Sequence, residues 1–96
     1  MRTYELVMIF RPEMVETEVR SEISQVEKAL VERGAEIKQV DFWGKRRLAY
    51  EIKGKRDGIY ILAELRANPA AIAELDNQLK VSEAVLRHLV VRLGDD

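Results

Sequence analysis

Apolar residues alternate along the opening segment: Tyr4, Leu6, Met8 and Phe10 share one parity, and Glu5, Val7 and Ile9 the other. A repeat of two sends successive side chains to opposite faces of an extended chain, so Thr3 to Phe10 is predicted to be a strand. Arg11-Pro12 closes it. The period then changes. From about Glu16 to Arg33 the apolar positions Val19, Ile23, Val26 and Leu30 recur at steps of four, three and four. That spacing lays one stripe along a helix and leaves the glutamates outside it. Gly34 stands where a helix commonly ends on a left-handed residue.

A long extended stretch follows over 36–53. Val40, Phe42, Leu48, Tyr50 and Ile52 share parity but Ile37 does not, so a bulge is expected near Lys38-Gln39 and a second irregularity at Gly44. Residues 53–58 read as a hairpin loop, with turn formers at Gly54 and at Asp57-Gly58. Ile59 to Arg66 returns as a strand, with Ile59, Ile61, Ala63 and Leu65 on one face and Tyr60 and Leu62 on the other. Asn68-Pro69 supplies an N-cap and a first-turn proline, and Ile72, Leu75 and Leu79 mark the stripe of a second, shorter helix. Ala84 to Leu93 is the last strand. Parity sets Val85, Leu89, Val91 and Leu93 on one face and Leu86, His88, Val90 and Arg92 on the other.

The order is β-α-β-β-α-β. Right-handed crossovers put both helices on the same side of the sheet. The expected fold class is therefore α+β: a ferredoxin-like sandwich, a four-stranded antiparallel sheet with two helices on one face, formed by residues 1–96 as a single domain. The other face stays open. It would be polar if it met only water, yet apolar residues occur at both parities, including Val7 and Ile9 in the first strand and Val90 in the last. Such a face, with Trp43 and His88, is a candidate seat for a protein partner; the plain alternative is that side chains and loops fold over it.

Composition narrows the class. With 47% hydrophobic and 34% charged residues the chain suits a packed globular domain and not a disordered one. Its longest apolar stretch, Leu6 to Phe10, is far too short to span a bilayer, and the amino terminus shows no signal-peptide pattern. There are no cysteines, hence no disulfide framework and no thiolate metal site, and a cytoplasmic location is expected. The net charge of −1 gives no hint of a nucleic-acid partner. Its distribution does. Between Glu13 and Glu32 six glutamates face two bases, whereas between Lys45 and Arg56 six bases face the single acid Glu51. A phosphate backbone responds to the local field, so a near-neutral chain can still present one binding side.

Catalytic chemistry finds no support. Ser21, Ser24 and Ser82 occupy no strand-to-helix elbow, and the lone histidine, His88, has neither a cysteine nor a second histidine to build a metal site. The five glycines form no phosphate-cradling loop. No enzyme activity, cofactor, metal or small-molecule substrate is expected. The strand from Gly58 to Leu65 also lacks the aromatic pattern on which RNA-recognition sheets stack bases, which leaves phosphate and shape contacts as the expected mode.

The run Gly44-Lys45-Arg46-Arg47-Leu48-Ala49-Tyr50-Glu51-Ile52 resembles the signature of the bacterial small-subunit ribosomal protein six family. The resemblance extends to Met1-Arg2-Thr3-Tyr4-Glu5, to Gly34-Ala35, to Asp57-Gly58-Ile59-Tyr60 and to Val90-Val91, so it covers nearly the whole chain. It implies a ribosomal protein of the cytoplasm that binds the central domain of small-subunit ribosomal RNA as a heterodimer with small-subunit ribosomal protein eighteen. Arg46, Arg47 and Tyr50 lie inside the matched motif, and Arg2 in the matched amino terminus. Lys55 and Arg56 join them from the basic segment, and Lys80, Arg87 and Arg92 from placement on or beside the last strand. Members of that family often carry a tail that touches the protein partner; here the chain closes on Gly94-Asp95-Asp96, so a tail contact is not expected and the acidic end would repel phosphate. On a regular strand Arg46 shares the face of Leu48 and Tyr50, and Arg47 that of Trp43 and Ala49, so the two arginines would serve different neighbours. Two other readings stay open on the residues alone. One is a regulatory ligand-binding module of the ACT type, which has the same element order, although Arg11-Pro12-Glu13-Met14 lacks the glycine turn such a module would use. The other is a protein-interaction module with no RNA role.

Overall fold

The computed structural model describes residues 1–95; the last residue of the acidic end, Asp96, lies outside them. The elements are β1 (Arg2–Phe10), α1 (Glu16–Glu32), β2 (Glu36–Ile52), β3 (Lys55–Ala67), α2 (Pro69–Lys80) and β4 (Val85–Asp95). The strands form one antiparallel sheet in the order β2-β3-β1-β4, the expected ferredoxin-like arrangement.

The period-two and helical stripes meet in one core. Tyr4, Leu6, Met8 and Phe10 of β1 lie opposite Leu65, Ala63, Ile61 and Ile59 of β3. Onto them pack Val19, Ile23, Val26 and Leu30 of α1 and Ala71, Leu75 and Leu79 of α2. Each fully buried aliphatic or aromatic side chain contributes about 1.5–3 kcal/mol, which is what holds the helices to this face. At the start of α1 the Glu18 carboxylate accepts a 2.9 Å hydrogen bond from the Val15 N–H. At its end the Gly34 N–H donates to Val31 and the Ala35 N–H to Leu30, a Schellman closure that satisfies two carbonyls otherwise orphaned.

Both irregularities expected in β2 are present, as register shifts between Ile37 and Gln39 and between Phe42 and Gly44, where Gly44 takes φ +86°. The second has a consequence for the faces. Val40 and Phe42 pair with Ala63 and Ile61 on the helix side, whereas Leu48 joins Ile9 and Leu86 on the other side. Their shared parity therefore does not mean a shared face, because each bulged residue reverses the alternation.

The hairpin departs from expectation. Only Lys53 and Gly54 turn, with φ 49° and 79°, and Ile52 pairs with Lys55, so residues 55–58 belong to β3. Two consecutive left-handed residues match the strand twist and close the hairpin in two residues where a longer loop is expected. Beyond the last pairing of β1, at Phe10 with Ile59, the β2–β3 hairpin continues as a two-stranded arm. Between the pairs Arg47–Asp57 and Ile52–Lys55, residues 48–51 stand against Arg56 alone. That excess bends the arm across the end of the open face, where Leu48 packs on Ile9 and Leu86, with Ile52 and Tyr60 alongside.

In β4 a register shift at Ile9/Phe10 makes Leu86 an extra residue. Val85 consequently faces the helices, while Arg87, Leu89 and Val91 lie opposite Ile9, Val7 and Glu5 on the open side. His88, Val90 and Arg92 lie opposite Met8, Leu6 and Tyr4 on the helix side. The expected grouping of Leu86 with His88 and Val90 is thus corrected: one bulge slips the parity between them.

Candidate nucleic-acid interface

The bent arm gathers the basic segment at one end of the sheet. Tyr50 is 61% exposed, and its phenol oxygen accepts a hydrogen bond from Nη1 of Arg87, which ties the arm to β4. Arg47, Tyr50 and Arg56, with Leu48, Ala49 and Glu51, line a hollow of about 280 Å³. Behind the arm a second cleft of about 250 Å³ brings Lys53 together with Lys80 and Arg87. Arg46 lies opposite Gly58, on the Leu48 side of the arm, and its guanidinium sits 5.6 Å from the centre of the Trp43 ring. Trp43 is thus on the side of Arg46, not that of Arg47 as a regular strand would have it, because the Phe42/Gly44 bulge leaves both Trp43 and Gly44 facing Tyr60.

Several of these bases already hold carboxylates. Lys55 Nζ lies 2.8 Å from Glu13, Lys80 Nζ 3.3 Å from Asp76, and Arg56 Nε 3.9 Å from Glu51. Exposed pairs of this kind are screened by solvent and contribute little, so a phosphate can replace the carboxylate. The Lys55 ammonium beside it lowers the Glu13 pKa, chiefly through their hydrogen bond. Asp76 is lowered too, first by its hydrogen bond with His88 and then by Lys80. Among the described residues Lys45, Arg47 and Lys53 form no ion pair.

Of the nine residues expected at RNA, the fold brings Arg46, Arg47, Tyr50, Lys55, Arg56, Lys80 and Arg87 to the arm end. Arg2 and Arg92 it does not. Arg2 pairs with Ala67 and Asp95, and Arg92 with Tyr4, at the opposite end of β1. The eight steps along β1 from Arg2 to Phe10 span about 26 Å. Lys53, which sequence reasoning passed over as a loop residue, sits in the cleft; its signal was membership of the basic segment.

The residues expected to seat a protein partner divide as well. Val7 is half-buried at the centre of the open face, paired with Leu62 on one side and Leu89 on the other. Trp43 is exposed on the edge strand β2, with β3 between it and β1. Ile9 is only 7% exposed, because the arm covers it. His88 and Val90 lie under α2: Val90 packs against the main core, and the His88 Nε2–H donates to Asp76 at 2.6 Å. The apolar side chains that the open face does present on β4 are Leu89 and Val91, 49% and 39% exposed. Parity counting missed them because the Leu86 bulge hides where the alternation restarts.

Among the described residues no polar or charged side chain is buried, and no three potential metal ligands converge. What the arrangement offers is binding chemistry: clustered positive charge, an exposed tyrosine and an apolar sheet face.

The chain has close similarities among known proteins. It is 43% identical to the small ribosomal subunit protein bS6 of Desulforamulus reducens, over 99% of this chain and 100% of that protein. With the bS6 of Moorella thermoacetica the identity is 35%, over 100% and 98%. The crystal structure of the 30S ribosomal protein S6 of Thermotoga maritima superposes with a TM-score of 0.89 at 32% identity, covering 95% of this chain and 86% of that one. The C-terminal domain of the MgtC protein of Mycobacterium tuberculosis shares the fold alone, at 21% identity and a TM-score of 0.63. The sequence profile described as ribosomal protein S6 matches residues 3–92, so nearly the entire βαββαβ unit, bent arm included, is the matched region, and the chain belongs to the ribosomal protein S6 family.

Proposed function

We propose that this protein binds the central domain of small-subunit ribosomal RNA as a heterodimer with small-subunit ribosomal protein eighteen. As a member of its family it is a structural protein of the small ribosomal subunit, in the cytoplasmic ribosome, and not an enzyme. The observation that carries the RNA reading is the one-sidedness of charge. Lys45, Arg46, Arg47, Lys53 and Arg56 project from a single arm that also meets Lys80 and Arg87. Neutralising phosphates there releases counterions and needs no base-specific contact. Arg2 and Arg92 would touch RNA only if it also reached the far end of the sheet. The open face, with Val7, Leu62, Leu89 and Val91, supports the second half of the reading as the seat of the protein partner.

A filter-binding series with a central-domain ribosomal RNA fragment, with and without protein eighteen, tests both halves. Affinity should depend on the partner and fall with salt, by about 0.7–0.9 in log–log slope for each phosphate neutralised. Binding that stays unmeasurable with the partner present, at any salt, removes the reading.

A further inference from the structure

The structural duty of Tyr50, the bond between its hydroxyl and Arg87, does not account for the exposure of its ring. A tyrosine usually buries its ring and wets its hydroxyl. Here the order is reversed: the hydroxyl is held by Arg87 while the residue stays 61% exposed. The bond fixes the ring at both ends, through the arm backbone and through β4, so the side chain is set before anything binds. Cations lie near it. Arg47 and Arg56 line the same hollow as Tyr50, and Arg87, which bonds its hydroxyl, lines the cleft with Lys53 and Lys80. Glu51 also lines the hollow, but its carboxylate is engaged by Arg56 at 3.9 Å. An aromatic platform with cations in its own hollow and in the cleft reached through Arg87 matches an unpaired nucleotide, whose base stacks while its two phosphates meet positive charge. Paired RNA would present only backbone and would leave the ring idle.

We infer that Tyr50 is a stacking platform for one unpaired base of the bound RNA, with Arg47 and Arg56 receiving a phosphate on one side and the Lys53–Lys80–Arg87 cleft the next phosphate along. The inference rests on the RNA reading above and narrows it to a bulged or looped nucleotide. The expectation against base stacking concerned the strand from Gly58 to Leu65; the platform stands on the β2 side of the arm instead.

The test uses the full chain with protein eighteen and the central-domain ribosomal RNA fragment. Tyr50→Leu keeps an apolar side chain but loses the aromatic face. It should bind about five- to 140-fold more weakly, the range that stacking one base spans, with an unchanged salt slope. Tyr50→Phe keeps the ring and should stay within a few-fold of the parent. Arg47→Ala should instead flatten the salt slope by about 0.7–0.9. As a readout independent of affinity, Tyr50→Trp combined with Trp43→Phe places an indole on the platform; its emission should be quenched when the RNA binds. Parent-like affinity of Tyr50→Leu, or an indole emission indifferent to bound RNA, overturns the platform while leaving the RNA reading intact. Failure of the parent itself to bind overturns both.

Discussion

Gly58 shows how much a single position decides. It lies in β3 opposite Arg46, and a Cβ placed on it would collide with Cγ2 of Ile9 and press on the Phe10 carbonyl 3.4 Å away. The branch of Ile9 is rigid, so the neighbour has little room to give. Gly58→Ala is expected to lower stability by about 1–3 kcal/mol, the usual cost of overpacking, read as a lower urea midpoint. Gly44 makes the contrasting case. Nothing lies within 4 Å of a Cβ built there, but φ is +86°, so Gly44→Ala meets backbone strain alone. It should cost about 1–2 kcal/mol, and most of that should return in Gly44→Asn, which tolerates left-handed geometry better. A parent-like midpoint for Gly44→Ala would mean the bulge relaxes without it.

At the scale of elements, the arm and the α2–β4 clasp carry distinct predictions. The arm is held down by a small cluster, Leu48 on Ile9 and Leu86, plus the bond from Arg87 to Tyr50. Leu48→Ala should cost about 2 kcal/mol, the low end for a buried leucine, because only a minor cluster surrounds it. Amide exchange in 45–56 should speed up while the main core keeps its protection. RNA affinity should fall with it, since the same docking positions Arg47, Tyr50 and Arg56. The clasp is Asp76, which bonds His88 of β4 and Lys80 one helical turn on. Its pKa is depressed below the ordinary 3.8 by those partners, His88 first. A depressed carboxylate contributes stability that is present above its unfolded value and lost as pH falls through the folded one. Asp76→Asn should therefore be less stable than the parent at pH 7, with the gap closing only below about pH 4. Urea midpoints across pH 2–7 check the sign; a gap that widens with acid refutes the assignment.

At the scale of the whole molecule, acid and base are separated in space only in part, since Glu13 of the acidic segment reaches Lys55 of the arm at 2.8 Å. Glu32, in the last turn of α1, lies toward the end of the sheet away from the arm, where α1 leads through Gly34 to the start of β2. Screening over about 8–10 Å at physiological salt would keep such charges from a phosphate bound at the arm. Glu32→Gln should consequently leave RNA affinity within about twofold, whereas Arg47→Ala should not. The two edges of the sheet are also unlike. β2 is broken by bulges, while β4 runs without a shift from Arg87 to Arg92 and bears the exposed Leu89 and Val91. Bulges blunt an edge against further pairing, so the β4 side is the one left suited to a protein neighbour.

By itself the sequence determined the element order, the sheet with two helices on one face, the composition of the main core, both β2 bulges and the basic segment. Each of these rests on local periodicity, on a turn residue or on charge counted along the chain, and none needs a distant partner to be read. The resemblance carried by Gly44 to Ile52 added the family. Tertiary structure alone decided which faces the alternations serve. A single extra residue, Leu86, moved His88 and Val90 under α2 and put Leu89 and Val91 on the open side, and no pattern within the strand announces it. Only the fold could show that the arm bends, that it buries Ile9, and that it brings Lys53 to Lys80 and Tyr50 to Arg87. Those meetings join residues about 27 to 39 positions apart, from 53 to 80 and from 9 to 48, and contacts at such separations follow from packing, which local spacing does not encode.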